Sequence, residues 1–468
     1  MQGAHRDSCP CQNYSDSGHA LDSRCNAIIH WKEPARFLRV CPLLAETRDG
    51  WRCGVDAERV RPFWGRALLF GSVAVCLLYL GGTGAGYAFL RTAGYEVSYL
   101  TVAWPPMWRE LRHSQEKLYA ARAQQAIAAG NYPAALLALQ RVCELNPRNY
   151  PAALSLASLA QVSGQPFVAE QIYERLMHDV PESRPATAQI WIRPLLARGD
   201  YAQIKPLAVA MLTEDSGRRE AWLHCLLFAA RRTQDQAVLD DLLQNHSDLP
   251  DWCADLVRIE VLLLQDRREQ AAVQLARINP RSPSAYPPFY QTDRLLALGR
   301  PDDAARLIEA YGKRLPADEA GFLRLRVLHA KKWTSLMEPE YDNLLSYRMT
   351  PRLTAQFSAW LIRQPDAAAF GRFADRFLQQ GPAIGNETLP LYHAAYLAAA
   401  LSQDDARATR LASEIGTFTK SDAKVLRALA DALTHSAGQA QLAQLLPLVP
   451  LPLEAIYAIA ERPAPASR

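Results

Sequence analysis

The sequence predicts an all-α chain: a helix-turn-helix solenoid behind a single transmembrane helix, with a small Cys/His-containing segment ahead of both. Three observations carry this. Residues 67–90 hold no ionisable acid or base across 24 positions. From residue 116 onward, glycine and proline recur with a 17-residue gap inside a helical texture rich in Ala, Leu, Arg and Gln. Five of the nine cysteines fall in the first 53 residues.

Composition sets the outer bounds. The 468 residues are 49% hydrophobic and 21% charged, which supports folded cores and excludes a wholly disordered chain. Lys and Arg number 52 against 48 Asp and Glu, so the net charge of +4 is too balanced to call for a nucleic acid partner.

Residues 1–66 form the Cys/His segment, with His5, His19 and His30 interspersed among the cysteines. So short a stretch with few aliphatic runs buries little core, and a metal or crosslinks are the usual remedy. Cys9, Cys11, Cys25, His30, Cys41 and Cys53 are the candidate ligands of a structural zinc, at most four of them at once, because zinc takes four N or S donors. The fit is partial. No Cys-x-x-Cys pair exists, and Cys9 and Cys11 stand one residue closer than the usual knuckle spacing. A disulfide-bearing or free-thiol segment, and a loosely ordered one without metal, stay open beside it. Cys76, Cys143, Cys225 and Cys253 lie in apolar surroundings and read as small buried hydrophobes.

Residues 67–90 would be about 36 Å long as a helix, enough to cross the hydrocarbon core of a bilayer with some tilt. Trp64 precedes the run, and Tyr95, Tyr99, Trp104 and Trp108 follow it, as an interfacial aromatic belt requires. The run starts too late and is too long for an ordinary signal peptide. Arg52, Arg59, Arg61 and Arg66 lie in the 15 residues before it, against Arg91 alone in the 15 after it. That asymmetry predicts a cytoplasmic N-terminus and an extracytoplasmic solenoid, periplasmic in a bacterium. A reducing cytoplasm would keep the head cysteines as thiols, which favours metal over disulfides. Gly82 and Gly86 stand at the spacing that lets two apolar helices approach closely, so a homodimer through this face is one expectation. Residues 91–114 read as an interfacial linker.

The solenoid is expected over residues 115–460, with a disordered tail at 461–468. Gly130 and Pro147 are 17 apart, Gly164 and Pro181 repeat the pair 34 residues later, and Gly299 and Pro316 repeat the gap again. In the stretch 116–149 the intervening pattern is Tyr119, Ala123, Ala135 and Leu139, and in 150–183 it is Ala157, Ala169 and Tyr173. The third occurrence has Ala304 and Ile308, but Thr292 where the others have alanine.

These residues resemble tetratricopeptide repeats, whose 34-residue helix-turn-helix unit places small residues at the close contact, larger ones in the gap and glycine at the turn. The resemblance is specific over about 100 residues and general for the rest. Gly199-Asp200-Tyr201-Ala202 reads as another turn, Trp222 and Trp252 as core residues of first helices, and Pro194 as a helix interruption. Leu391–Leu401 and Ala406–Leu411 read as a further pair, and the whole region has room for about ten pairs at 34 residues each.

The resemblance implies a concave face lined by first helices, where a peptide or helix from a protein partner docks. Its candidate residues are Lys117, Gln124, Leu154, Ser158 and Gln161. The chain lacks a nucleophile elbow, a phosphate-binding loop and a His-Glu-x-x-His helix. His113, His178, His224, His246, His329, His393 and His435 stand without an acid or cysteine at productive spacing and read as surface or helix histidines. The reading is therefore a non-enzymatic, membrane-anchored scaffold at the cell envelope. A membrane-bound metal or redox sensor, sensing through the Cys/His segment, is the alternative, and an enzyme sited in the poorly matching C-terminal half is a third.

Overall fold

The protein is described by a computed structural model over residues 44–47, 50–53, 63–246, 249–277, 285–420, 423–434 and 439–462. Cys9, Cys11, Cys25, His30, Cys41, Pro280, His435 and the end of the tail lie outside the described residues, as do the side chains of 44–53 and 63–67. The chain divides into two compact units at Arg122/Ala123.

In the first unit, β1 (Leu44–Thr47) and β2 (Gly50–Cys53) pair antiparallel, with Leu44 opposite Cys53 and Thr47 opposite Gly50. They are the only strands among the described residues, and they place Cys53, one of the candidate ligands, at the end of β2. The Asp49-Gly50 dipeptide is a hairpin signal that the helical reading passes over.

Helix α1 (Phe63–Thr92) has 30 residues, about 45 Å at 1.5 Å each. From Leu68 to Thr92 it is long and apolar enough to cross a membrane, and no residue of its apolar window is buried. After Gly94, at φ +91°, the short helix α2 (Tyr99–Ala103) turns back along the end of α1. The Thr83 and Tyr99 hydroxyls lie 3.0 Å apart, the Tyr87 and Tyr99 rings meet edge to face at 6.0 Å, and Tyr79 donates to the Ala103 carbonyl. This bears on the glycine face. A Cβ at Gly86 would stand 3.6 Å from Val102, whereas nothing lies within 4 Å of one at Gly82. The Gly86 end therefore already holds α2, and only the Gly82 end is open. Within residues 91–114, α2 is followed by the start of helix α3 (Trp108–Ala128).

The second unit, which begins at Ala123 in the last turns of α3, is a stack of helical pairs. The first helix of each pair and its second follow in order: α3 and α4 (Tyr132–Leu145), α5 (Tyr150–Val162) and α6 (Pro166–Asp179), α7 (Arg184–Arg198) and α8 (Tyr201–Glu214). Then come α9 (Arg219–Thr233) and α10 (Ala237–Asn245), α11 (Asp251–Leu264) and α12 (Arg268–Leu275), α13 (Tyr286–Ala297) and α14 (Pro301–Tyr311). The stack ends with α15 (Ala317–Ala330) and α16 (Thr334–Ser346), α17 (Pro351–Arg363) and α18 (Ala367–Gln380), α19 (Leu389–Leu401) and α20 (Asp405–Thr419), and α21 (Lys424–Thr434) and α22 (Gln439–Leu445). That makes ten pairs among the described residues. A last helix, α23 (Leu453–Glu461), follows, with no further helix among the described residues.

The residues that carry the period do the packing. Ala123, Ala135, Leu139, Ala157, Ala169, Tyr173, Thr292, Ala304 and Ile308 are all buried, so Thr292 fills its small-residue position without breaking the contact. Gly130, Gly164, Gly199 and Gly299 each adopt a left-handed conformation, φ +70° to +77°, at the turn between paired helices. Gln234, Asp266, Lys332 and Gln403 hold the same left-handed position in four other pairs, at φ +54° to +59°. In all eight turns the next residue's N–H reaches back five positions to close the first helix, as from Gln165 to Ala160 at 2.9 Å and from Asp404 to Ala399 at 3.1 Å. Pro194 does not interrupt its helix: α7 runs through it and buries it, and Pro206 and Pro339 likewise sit inside α8 and α16. One lost backbone bond is tolerated where both flanks of a helix are packed on neighbours.

Ion pairs tie successive pairs together at separations near one repeat: Arg198 with Glu170, Lys205 with Asp235, Arg300 with Glu269, and Arg407 with Asp375. The C-terminal segment packs inward. The turn Leu446–Leu448 touches α5 and α7, and α23 packs on α7 and α17.

Candidate binding site on the inner face

First helices α9, α13, α15 and α17, together with α23, line an open cavity of about 370 Å³. Each contributes an aromatic residue and, one helical turn later, a charged one. The pairs are Phe228 with Arg231, Tyr290 with Asp293 and Arg294, Phe322 with Arg326, Trp360 with Arg363, and Tyr457 with Glu461. Residues three and four apart share a helix face, so the helices together build an aromatic layer beside a charged layer.

The charged layer is a connected network. Glu260 of α11 is fully buried and accepts from Arg231 at 3.3 Å on both oxygens and from the Tyr290 hydroxyl. Asp293 pairs with Arg294, Arg326 and, at 3.6 Å, Arg363. Glu461 of α23 bridges Arg231 at 3.4 Å and Arg363 at 2.9 Å. Burial alone would raise the Asp293 carboxyl, but the three guanidiniums overcome it and hold that group well below the usual carboxylate range. Four guanidiniums (Arg231, Arg294, Arg326, Arg363) face three carboxylates (Glu260, Asp293, Glu461), which leaves one positive charge in the paired cluster. Arg294 is 9% exposed, and its Nε is buried without a hydrogen-bond acceptor. Arg352, 3.0 Å from Glu319, completes the basic lining, with Glu220 and Glu454 as further acids.

The aromatic layer holds the last helix in place. Tyr457 packs edge to face on His224 at 4.3 Å and on Phe228 at 4.9 Å, and its hydroxyl lies 2.7 Å from Cys225 Sγ. Tyr286 OH lies 3.2 Å from His224 Nδ1. Burial, with Arg231 adding to it, pushes the His224 imidazole down to about 3, so the ring is neutral at physiological pH. Burial pushes the Cys225 thiol up to about 12, against the weaker pull of the Tyr457 hydrogen bond. Stacking and guanidinium–carboxylate pairing are the interactions these groups make, and the raised thiol is held in its unreactive form.

The five residues expected to line a partner groove lie elsewhere. Lys117 and Gln124 are exposed on α3. Leu154, Ser158 and Gln161 are half-buried on α5, the helix against which Leu446–Leu448 packs. Ser158 meets the Tyr173 hydroxyl at 3.4 Å, and Gln161 accepts from Arg198 at 2.8 Å. None of the five lines the cavity. His224, read from sequence as an ordinary helix histidine, is part of the wall. The signal that would have found the site is the aromatic-to-charged step at three or four residues, repeated on four first helices and on α23.

Of the four scattered cysteines, Cys225 and Cys253 are buried as expected, Cys143 is half-buried, and Cys76 is exposed on α1. Among the described residues no three His, Cys, Asp or Glu side chains are gathered as metal ligands. The sequence matches no protein family profile and no curated protein.

Proposed function

We propose that this is a non-enzymatic, membrane-anchored scaffold whose tetratricopeptide-like repeats capture a protein partner at the cell envelope. The observation that carries the reading is the inner-face cavity: aromatic walls and an arginine-rich network displayed by stacked first helices, as in a recognition groove, on a chain that also bears one exposed apolar helix. Helix α1 supplies the anchor, through which the chain meets the lipid bilayer. The arginine asymmetry around it favours a cytoplasmic N-terminus with the repeats outside, and the open Gly82 end of α1 is where two copies would meet.

Photo-crosslinking in native membranes tests this. A photoreactive residue at Arg352, whose side chain is 53% exposed at the cavity, is compared with one at Phe167, 69% exposed on α6. A discrete protein adduct from position 352 and none from 167 supports the scaffold; equal labelling at both ends it. Protease protection of membrane vesicles reads the orientation, and a solenoid cleaved from the cytoplasmic side reverses it.

A further inference from the structure

We infer that helix α23 is a built-in occupant of the partner site, and that the partner's binding element is an amphipathic helix presenting an aromatic residue and, four residues on, a carboxylate. The inference rests on the scaffold reading and names the partner's chemistry and the contact that regulates access to it.

The chain already shows what the inner face accepts. Across a sequence separation of about 230 residues, Tyr457 enters the pocket of His224, Cys225 and Phe228 and Glu461 takes the guanidinium of Arg231; Glu461 also takes that of Arg363 on α17. These two anchors stand four residues apart, on the same side of one helix. Two features mark α23 as a replaceable occupant. It underfills its site, leaving the cavity beside it and a buried Arg294 Nε without an acceptor. It also hangs from a fixed point: Leu451 is 1% exposed and the Pro450 carbonyl meets His393 Nδ1 at 2.9 Å, so the preceding segment has attachments of its own, while the nine residues after Pro452 bury Ala455, Ile456, Ala458 and Ile459, an apolar face that the partner's helix would have to replace. Charge selects the replacement. With α23 displaced, the face keeps Arg231, Arg294, Arg326, Arg352 and Arg363 against Glu220, Glu260, Asp293 and Glu319, so it favours a helix that brings a carboxylate over a basic one.

The experiment uses the full chain in detergent and a fluorescein-labelled peptide reproducing residues 451–462 as the probe. An intramolecular helix competes at high effective concentration, so the Glu461→Ala chain binds the peptide at least about tenfold more tightly than the parent chain. Peptides carrying Tyr457→Ala or Glu461→Ala lose that binding. No peptide binding to a Glu461→Ala chain that melts cooperatively overturns the inference. If that variant unfolds, hydrogen exchange on the parent chain decides: amides of 453–461 exchanging through an opening that leaves 351–363 closed supports it, and exchange of both segments together overturns it. A dimer in which α23 of one copy fills the other assigns the site to a second copy and overturns it as well; light scattering reads this. Crosslinks from position 352 without peptide exchange end this inference and leave the scaffold standing.

Discussion

The first two helical pairs of the second unit and the pairs from α9 to α17 share an architecture and differ in what faces inward. In the first two, alanine and leucine fill the contacts, glycine makes the turns, and the charged residues are dispersed at the surface, as with Arg141 and Glu144 at 2.7 Å. In the later pairs the packing contacts persist, but the inner face carries stacked aromatics and a buried charge network closed by a helix from the end of the chain. The difference separates two constraints on one repeat. Helix-to-helix contacts need small residues at set positions in every pair, whereas the inner face is free to diverge, and divergence there makes a site.

Glu260→Ala tests this contrast with the largest expected effect. Glu260 is fully buried beneath Arg231 and Tyr290, and removing one partner of a buried ion pair costs about 3–5 kcal/mol. Thermal melting should show a large drop. Glu144→Ala, which breaks an exposed pair on α4, should leave the melting temperature unchanged. Equal effects would mean that the network is no more structural than a surface pair.

The next effect is set by pH. His224 is held at about 3 in the folded chain against 6.5 unfolded, so between those values the unfolded state binds the extra proton and stability rises with pH. That stability is complete above about pH 6.5 and is lost as pH falls towards 3, at up to about 1.4 kcal/mol per unit. The His224→Gln chain should lose this component of the slope, whereas Asp293, whose folded carboxyl titrates well below its unfolded value of 3.8, adds its own loss only below about that pH and little between pH 7 and pH 5. Denaturant melts of both chains from pH 7 to pH 5 measure the difference; identical slopes would place His224 outside the buried pocket.

How much of this was legible follows from the same separation. The 17-residue gap marked the turns at Gly130, Gly164 and Gly299 because glycine is the residue that adopts φ > 0 without strain. Gln234, Asp266, Lys332 and Gln403 make the same turn without glycine, so the period faded there although the backbone repeats. Trp222 and Trp252 were legible as core because large apolar residues on a first helix have one place to go. The cavity was not. Its elements are separated by up to about 230 residues, and no local pattern tells that Tyr457 will stand against Cys225. Lys117, Gln124, Leu154, Ser158 and Gln161 were placed by family position, which fixes a helix face but not what covers it.

The smallest effects lie at the turns, where exchanging residues between the two kinds of repeat isolates the backbone term. A Cβ at Gly164 would meet nothing within 4 Å, so Gly164→Ala costs about 1–2 kcal/mol for its left-handed φ of +74°, offset by about 0.4–1 kcal/mol through the reduced freedom of the unfolded chain. The reverse exchange, Gln403→Gly, relieves the same kind of strain at φ +59°, but glycine also gives the unfolded chain more freedom, which returns about 0.4–1 kcal/mol of the gain. The expected net is a stabilisation of about 0.5 kcal/mol, read as a small rise in the denaturation midpoint at constant slope. A loss at Gln403 comparable to that at Gly164 would show that its side chain contributes more to the turn than its backbone conformation costs, and that the two classes of repeat differ at the turn as well as on the inner face.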